Sequence, residues 1–144
     1  MLKVDDIKYL VVHCSDTPNS ESLKASDIHK MHLSFGWNGI GYHKIICQNG
    51  QIENGRPTYW IGAHVYGFNN NSLGVCLIGK NNFNKKQLNS LFALLKYWEK
   101  IYPKAEIIGH KDFPNTSKTC PNFDVKEWWR KKIQDEKNST NHLL

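Results

Sequence analysis

The chain has 144 residues, 40% of them apolar and 22% charged, values that fit one folded domain and exclude disordered and fibrous classes. Nineteen basic against thirteen acidic residues give a net charge of +6, and the excess is one-sided: residues 1–79 hold six of each sign, residues 80–144 thirteen basic and seven acidic. A basic half suits a polyanionic partner or equally a solvated lysine-rich face, and charge alone does not choose.

The apolar, β-branched run Ile7–Val12 reads as a buried strand ending at His13. It is also too short to cross a membrane, and no longer apolar stretch exists. Ser26 is the expected N-cap of a helix with Asp27 in its first turn, running through Ile28, Met31 and Leu33 and stopping near Gly36. Tyr42–Cys47 and Gln51–Glu53 flank Asn49-Gly50, a strong hairpin signal. Leu73–Ile78 reads as a second buried strand. Leu88, Leu91, Phe92, Leu95 and Trp98 recur at helical spacing, which predicts a helix from about Lys85 to Tyr102, ended by Pro103. Glu106–Gly109 is a short strand leading into His110, and a polar loop covers Lys111–Phe123. Asp124, with Glu127 three residues on, caps a last helix whose apolar side carries Trp128, Trp129 and Ile133. The expected architecture is a single α/β domain with a central mixed β-sheet flanked by helices and its site in a cleft at strand ends. Its core spans about residues 7–133, and a polar, frayed tail covers 134–144.

The usual strong motifs are absent. Gly36–Gly41 has the wrong spacing for a dinucleotide or phosphate loop, and there is no Gly-x-Ser-x-Gly, CxxC or HExxH. Asp5 and Asp6 stand where the apolar part of an export signal would begin, so the chain is expected to start in the cytoplasm, where four cysteines argue for free thiols or metal ligands. His13 and His110 each directly follow a predicted strand, and Cys120 comes ten residues after His110, next to Pro121. Two imidazoles and a thiolate make a three-ligand zinc site with an open fourth position. The spacing permits that site without demanding it, because histidines near strand ends are common. Cys47 and Cys76 read as core residues, and alternation points Cys14 away from His13. His29 and His32, three apart on one helix, can chelate a metal or simply be solvated, and His43 faces away from Tyr42 if both lie on a strand. Lys118 is either a solvated loop lysine or a charge placed where an oxyanion develops. Tyr42 is either a strand aromatic or a hydroxyl that holds water or a substrate carbonyl.

Five motifs follow one another between Ile7 and Ile133: VVHCSDT around His13, GWNGIGYHKII around Tyr42, GAHVYGFNNNSLGVCLIG from Gly62 to Gly79, IIGHKDF around His110 and SKTCPNFDVKEWW around Cys120. In these the chain resembles the zinc-dependent N-acetylmuramoyl-L-alanine amidases of the type-2 amidase and peptidoglycan-recognition family, with the small amidase-type lysozymes (endolysins) of short-tailed coliphages nearest. The resemblance implies hydrolysis of the amide between N-acetylmuramic acid and L-alanine in peptidoglycan. It implies one catalytic Zn2+ held by His13, His110 and Cys120, catalytic roles for Tyr42 and Lys118, and a substrate-binding role for His64, with Asn69 and Asn71 weaker candidates. A cysteine at position 120 speaks for a catalyst rather than a binding-only relative. Peptidoglycan is the expected partner, nucleic acid is not, and a monomer is expected. The enzyme would be made in the cytoplasm and reach the cell wall through a holin-type or other route. A peptidoglycan-binding module and a nucleic-acid binder are the competing classes; Cys120 and Lys118 oppose the first, and the lack of a recognisable motif opposes the second.

Overall fold

The computed structural model describes residues 1–143, the last three by backbone alone. Five strands, β1 (Tyr9–Cys14), β2 (Lys44–Ile46), β3 (Ile52–Asn54), β4 (Ser72–Leu77) and β5 (Glu106–Gly109), form one sheet in the order β3-β2-β4-β1-β5. Only the β2–β3 pair is antiparallel, so the sheet is mixed as expected. Three helices, α1 (Ala25–Ser34), α2 (Lys85–Ile101) and α3 (Val125–Leu143), flank it.

The central strands are buried on both sides, which is why they read as continuous apolar runs. Alternation along β1 sends Leu10 and Val12 to one face, where they meet Leu91, Leu95 and Trp98 of α2 and Val125 of α3. Fully buried side chains of this size each stabilise the fold by roughly 1.5–3 kcal/mol. The opposite face takes Val11 and His13. There Ile28 of α1 packs with Ile45, Cys76 and Ile78, and Val65 and Phe113 cover Val11 and Ile108.

Local expectations differ from the structure where a distant partner decides. β1 runs on to Cys14, because pairing with β4 continues through His13↔Cys76 and Cys14↔Leu77. His13 therefore lies within the strand. Helix α1 begins at Ala25 with Lys24 rather than Ser26 at its N-cap. Its first amide, Ala25 N–H, donates to Glu53 Oε1 of β3 at 2.8 Å, while Asp27 accepts from Lys24 N–H. The hairpin loop is wider than a two-residue turn: Gly50 N–H donates to Cys47 O, Gly50 sits at φ +87°, and Cys47 N–H donates to Gln51 O. That is a type I turn closed by a left-handed glycine. The tail expected to fray is the second half of α3 as far as residue 143, held to α2 by the Lys96–Glu136 ion pair; Leu144 lies outside the described residues.

The Asp124 cap is as expected, its carboxylate accepting from Glu127 N–H at 3.2 Å. All four cysteines are free thiols, with Cys47 and Cys76 fully buried. Among the described residues no helix is long and apolar enough to cross a membrane.

Candidate functional site

Sheet register brings the two histidines together. β1 and β5 run parallel with Val12 opposite Gly109, so the next residues, His13 and His110, emerge side by side at the same sheet edge. Their rings are 4.7 Å apart. The polar loop after His110 then returns: Lys111 N–H donates to Cys120 O at 2.9 Å, which folds Cys120 back beside His110. Cys14 N–H donates to Cys120 Sγ at 3.0 Å, pinning the sulfur from the β1 side. One ligand atom from each of His13, His110 and Cys120 lies within 4.8 Å of the other two, and among the described residues this is the one such group of three.

Electrostatics suit a cation there. Burial, then the neighbouring imidazoles, hold His13 well below the usual histidine range. Burial and the Lys118 charge lower His110 as well. Both rings are therefore neutral at physiological pH, the form that ligates metals. The adjacent Cys14 thiol and burial push the Cys120 thiol up, so its ionisation depends on a positive charge arriving.

Tyr42 precedes β2 and its ring lies 5.0 Å from that of His13. Burial, with the Cys76, Cys120 and Cys14 thiols nearby, raises its hydroxyl well above the usual tyrosine range, so it stays a proton donor. Gly41 lets this segment approach the Gly62–Ala63 strap, since a Cβ at Gly41 would run into the Ala63 carbonyl. Lys118 is exposed in the 111–123 loop, close enough for its charge to act on both His13 and His110.

His64, the candidate substrate-binding residue, lies beside His13 in the interior. It is 9% exposed, its Nδ1 lies 2.8 Å from His13 Nε2, and its Nε2 faces Ser72 Oγ at 3.2 Å. Both ring nitrogens are spent inside the protein, behind His13. Asn69 supports it from below, its Oδ1 accepting from the backbone N–H groups of His64 and Val65. Asn71 is not at the site surface either; its Oδ1 is buried without a hydrogen-bond partner. His29 and His32 do not chelate: their Nδ1 atoms accept from Ile40 N–H and Gly41 N–H, tying α1 to the loop before Tyr42.

Sequence reasoning missed Ser72 and His43. His43 is fully buried, accepts from Gly74 N–H through Nδ1 and donates through Nε2 to Trp60 O. Nothing in the local pattern marks either residue, because their partners come from other segments. A cavity of about 580 Å³ is lined by His29, Asn38, Ile40, Arg56 and Trp60. Arg56 bridges its walls by donating to Ile40 O and Ile61 O.

Residues 3–123 match the family model described as N-acetylmuramoyl-L-alanine amidase. The endolysin of Enterobacteria phage T3 is 38% identical over 130 residues, covering 85% of each chain, and that of Escherichia phage T7 is equally similar. Among solved structures, the N-acetylmuramoyl-L-alanine amidase LysC from Clostridium intestinale superposes with a TM-score of 0.79 at 29% identity, covering 91% of this chain and 87% of that one. The chain therefore belongs to the N-acetylmuramoyl-L-alanine amidase family and is a hydrolase, an amidase.

Proposed function

We propose that this amidase cleaves the bond between the lactyl group of N-acetylmuramic acid and L-alanine in peptidoglycan, with one Zn2+ held by His13, His110 and Cys120. The observation that carries the reading is the convergence of those three ligand atoms within 4.8 Å at one sheet edge, next to Tyr42. Two neutral imidazoles and one thiol are a donor set that zinc favours, and three protein ligands leave a position open. Bound there, zinc would supply Lewis acidity, polarising a carbonyl and acidifying water.

The chain's own groups do the rest. Tyr42, kept protonated by its surroundings, donates its hydroxyl proton in a hydrogen bond to the reacting centre or orients the attacking water. Lys118 brings a positive charge to the oxyanion that develops as the carbonyl is attacked. The cavity lined by Ile40, Arg56 and Trp60 has the size of a small-ligand site and would take a short peptide such as the stem peptide. A related chain, the Drosophila peptidoglycan-recognition protein LE, is described in complex with tracheal cytotoxin, a monomeric diaminopimelic acid-type peptidoglycan. The chain acts on the bacterial cell wall, as a monomer.

Mass spectrometry of fragments released from purified peptidoglycan tests this. Free stem peptides beginning at L-alanine are expected, lost on chelation and restored by zinc. New reducing sugar ends would mean a glycosidase, and binding to the wall without release would mean a recognition module.

A further inference from the structure

A hydrogen-bond chain leads from a backbone carbonyl to the metal-facing histidine. Ser72 Oγ lies 2.7 Å from Phe68 O and 3.2 Å from His64 Nε2, and His64 Nδ1 lies 2.8 Å from His13 Nε2. A carbonyl oxygen can only accept, so the single Ser72 hydroxyl proton points at Phe68. Ser72 Oγ is left to accept, which puts the His64 proton on Nε2. His64 Nδ1 is then bare and accepts from His13, which puts the His13 proton on Nε2 and leaves its lone pair on Nδ1. Every proton position follows from one carbonyl.

The surroundings protect this order. Ser72, His13 and His64 are 0%, 1% and 9% exposed, so water does not compete for their hydrogen bonds. Two glycines make room for the ring: a Cβ on Gly74 would stand 2.7 Å from His64 Nδ1, and one on Gly62 2.7 Å from His64 Cδ2. Asn69 clamps the backbone at His64 and Val65. A neutral imidazole as acceptor orients His13 without adding negative charge behind the site, as a carboxylate in that place would.

We propose that His64 is a positioning residue: with Ser72 it forms a proton-ordering relay that locks His13 in its Nε2–H tautomer and presents Nδ1 to the metal. This rests on the reading of His13 as a metal ligand. In the opposite tautomer His13 would direct a proton, not a lone pair, toward His110 and Cys120.

Two measurements test it. Nitrogen-15 NMR of the metal-free native protein reads the tautomers directly, and Nε2–H is expected on both His13 and His64. Nδ1–H on either ring overturns the relay, whatever the metal does. Zinc affinity, read by competition with a chromophoric chelator, should fall about 10–100-fold in His64→Leu. His64→Asn, whose amide oxygen can take the place of Nδ1, should stay near the native affinity. If His64→Leu fails to fold, as judged by thermal unfolding of the metal-free protein, His64→Gln replaces it. The glutamine amide reaches the Nε2 place and leaves His13 without an acceptor, so the same loss is expected. Native affinity in these variants alongside lost affinity in His13→Ala overturns the relay alone. Native affinity in His13→Ala overturns the ligand reading itself.

Discussion

At the residue scale, the proposed reading divides the site into groups that would hold a cation and groups that would face the substrate, and substitutions should separate them. His13 and Cys120 are held from behind, by His64 Nδ1 and by Cys14 N–H, so their donor atoms are committed to one place. Cys120→Ser or His13→Ala should lose both bound zinc, measured by metal analysis after dialysis, and hydrolysis. Lys118 has no such anchoring; it is exposed and acts through its charge. Lys118→Ala should therefore keep its zinc while kcat falls about 100-fold or more, the scale of removing a single oxyanion donor. Loss of metal in that variant would refute the division. Tyr42→Phe should also retain zinc, with kcat down about 100-fold, because it removes only the hydroxyl from a ring packed against His13. Metal content is the deciding readout in each case, since activity alone falls in all of them.

At the element scale, what could be read in advance depended on where each partner lies in the chain. The caps of α2 and α3 are local: Asn84 accepts from Gln87 N–H, and Asp124 from Glu127 N–H. Both sit within three residues of their partners, so a short window of sequence contains the whole interaction. Asn84→Ala should cost about 1 kcal/mol in urea unfolding with hydrolysis unchanged, because the Asn84 side chain bonds Gln87 N–H and Gln48 O and none of the proposed site residues. Equal loss of activity would mean that α2 is coupled to the site. The start of α1 was not legible, because its first amide is satisfied by Glu53, twenty-eight residues away on β3. The end of β1 was set by pairing with β4 in the same way. The ordered motifs singled out His13, His110 and Cys120, which the fold brings within 4.8 Å of one another, and the candidates Tyr42 and Lys118. The burial of His64 could not be read from them, since the space for its ring is made by Gly62 and by Gly74 of β4. Its motif flagged the residue as important, but only the fold shows which way the ring points.

At the scale of the whole molecule, the face of the sheet opposite α2 carries an unusual load of imidazole. His13, His43 and His64 are all buried, with ring centroids 4.9 Å apart for His13 and His64 and 5.7 Å for His43 and His64. Burial holds all three down, His43 to about 4. The unfolded chain takes up its histidine protons near pH 6.5, while His43 in the folded core refuses its proton until about pH 4. Between those values the unfolded state binds more protons, so stability is full above pH 6.5 and falls as pH drops toward 4. At pH 5, His43 alone should cost the fold about 2 kcal/mol, with His13 and His64 adding to it. Urea unfolding of the metal-free protein at pH 7.5 and pH 5 checks this; equal midpoints would mean that the imidazoles accept protons without leaving the core. The same cluster contains the hydrogen bond that orients His13. Acid should therefore remove activity and fold over one pH range, followed by circular dichroism and hydrolysis on the same samples. Activity lost well above the unfolding range would instead locate the acid-sensitive step at the proposed metal ligands, where protons compete with the cation for His13, His110 and Cys120.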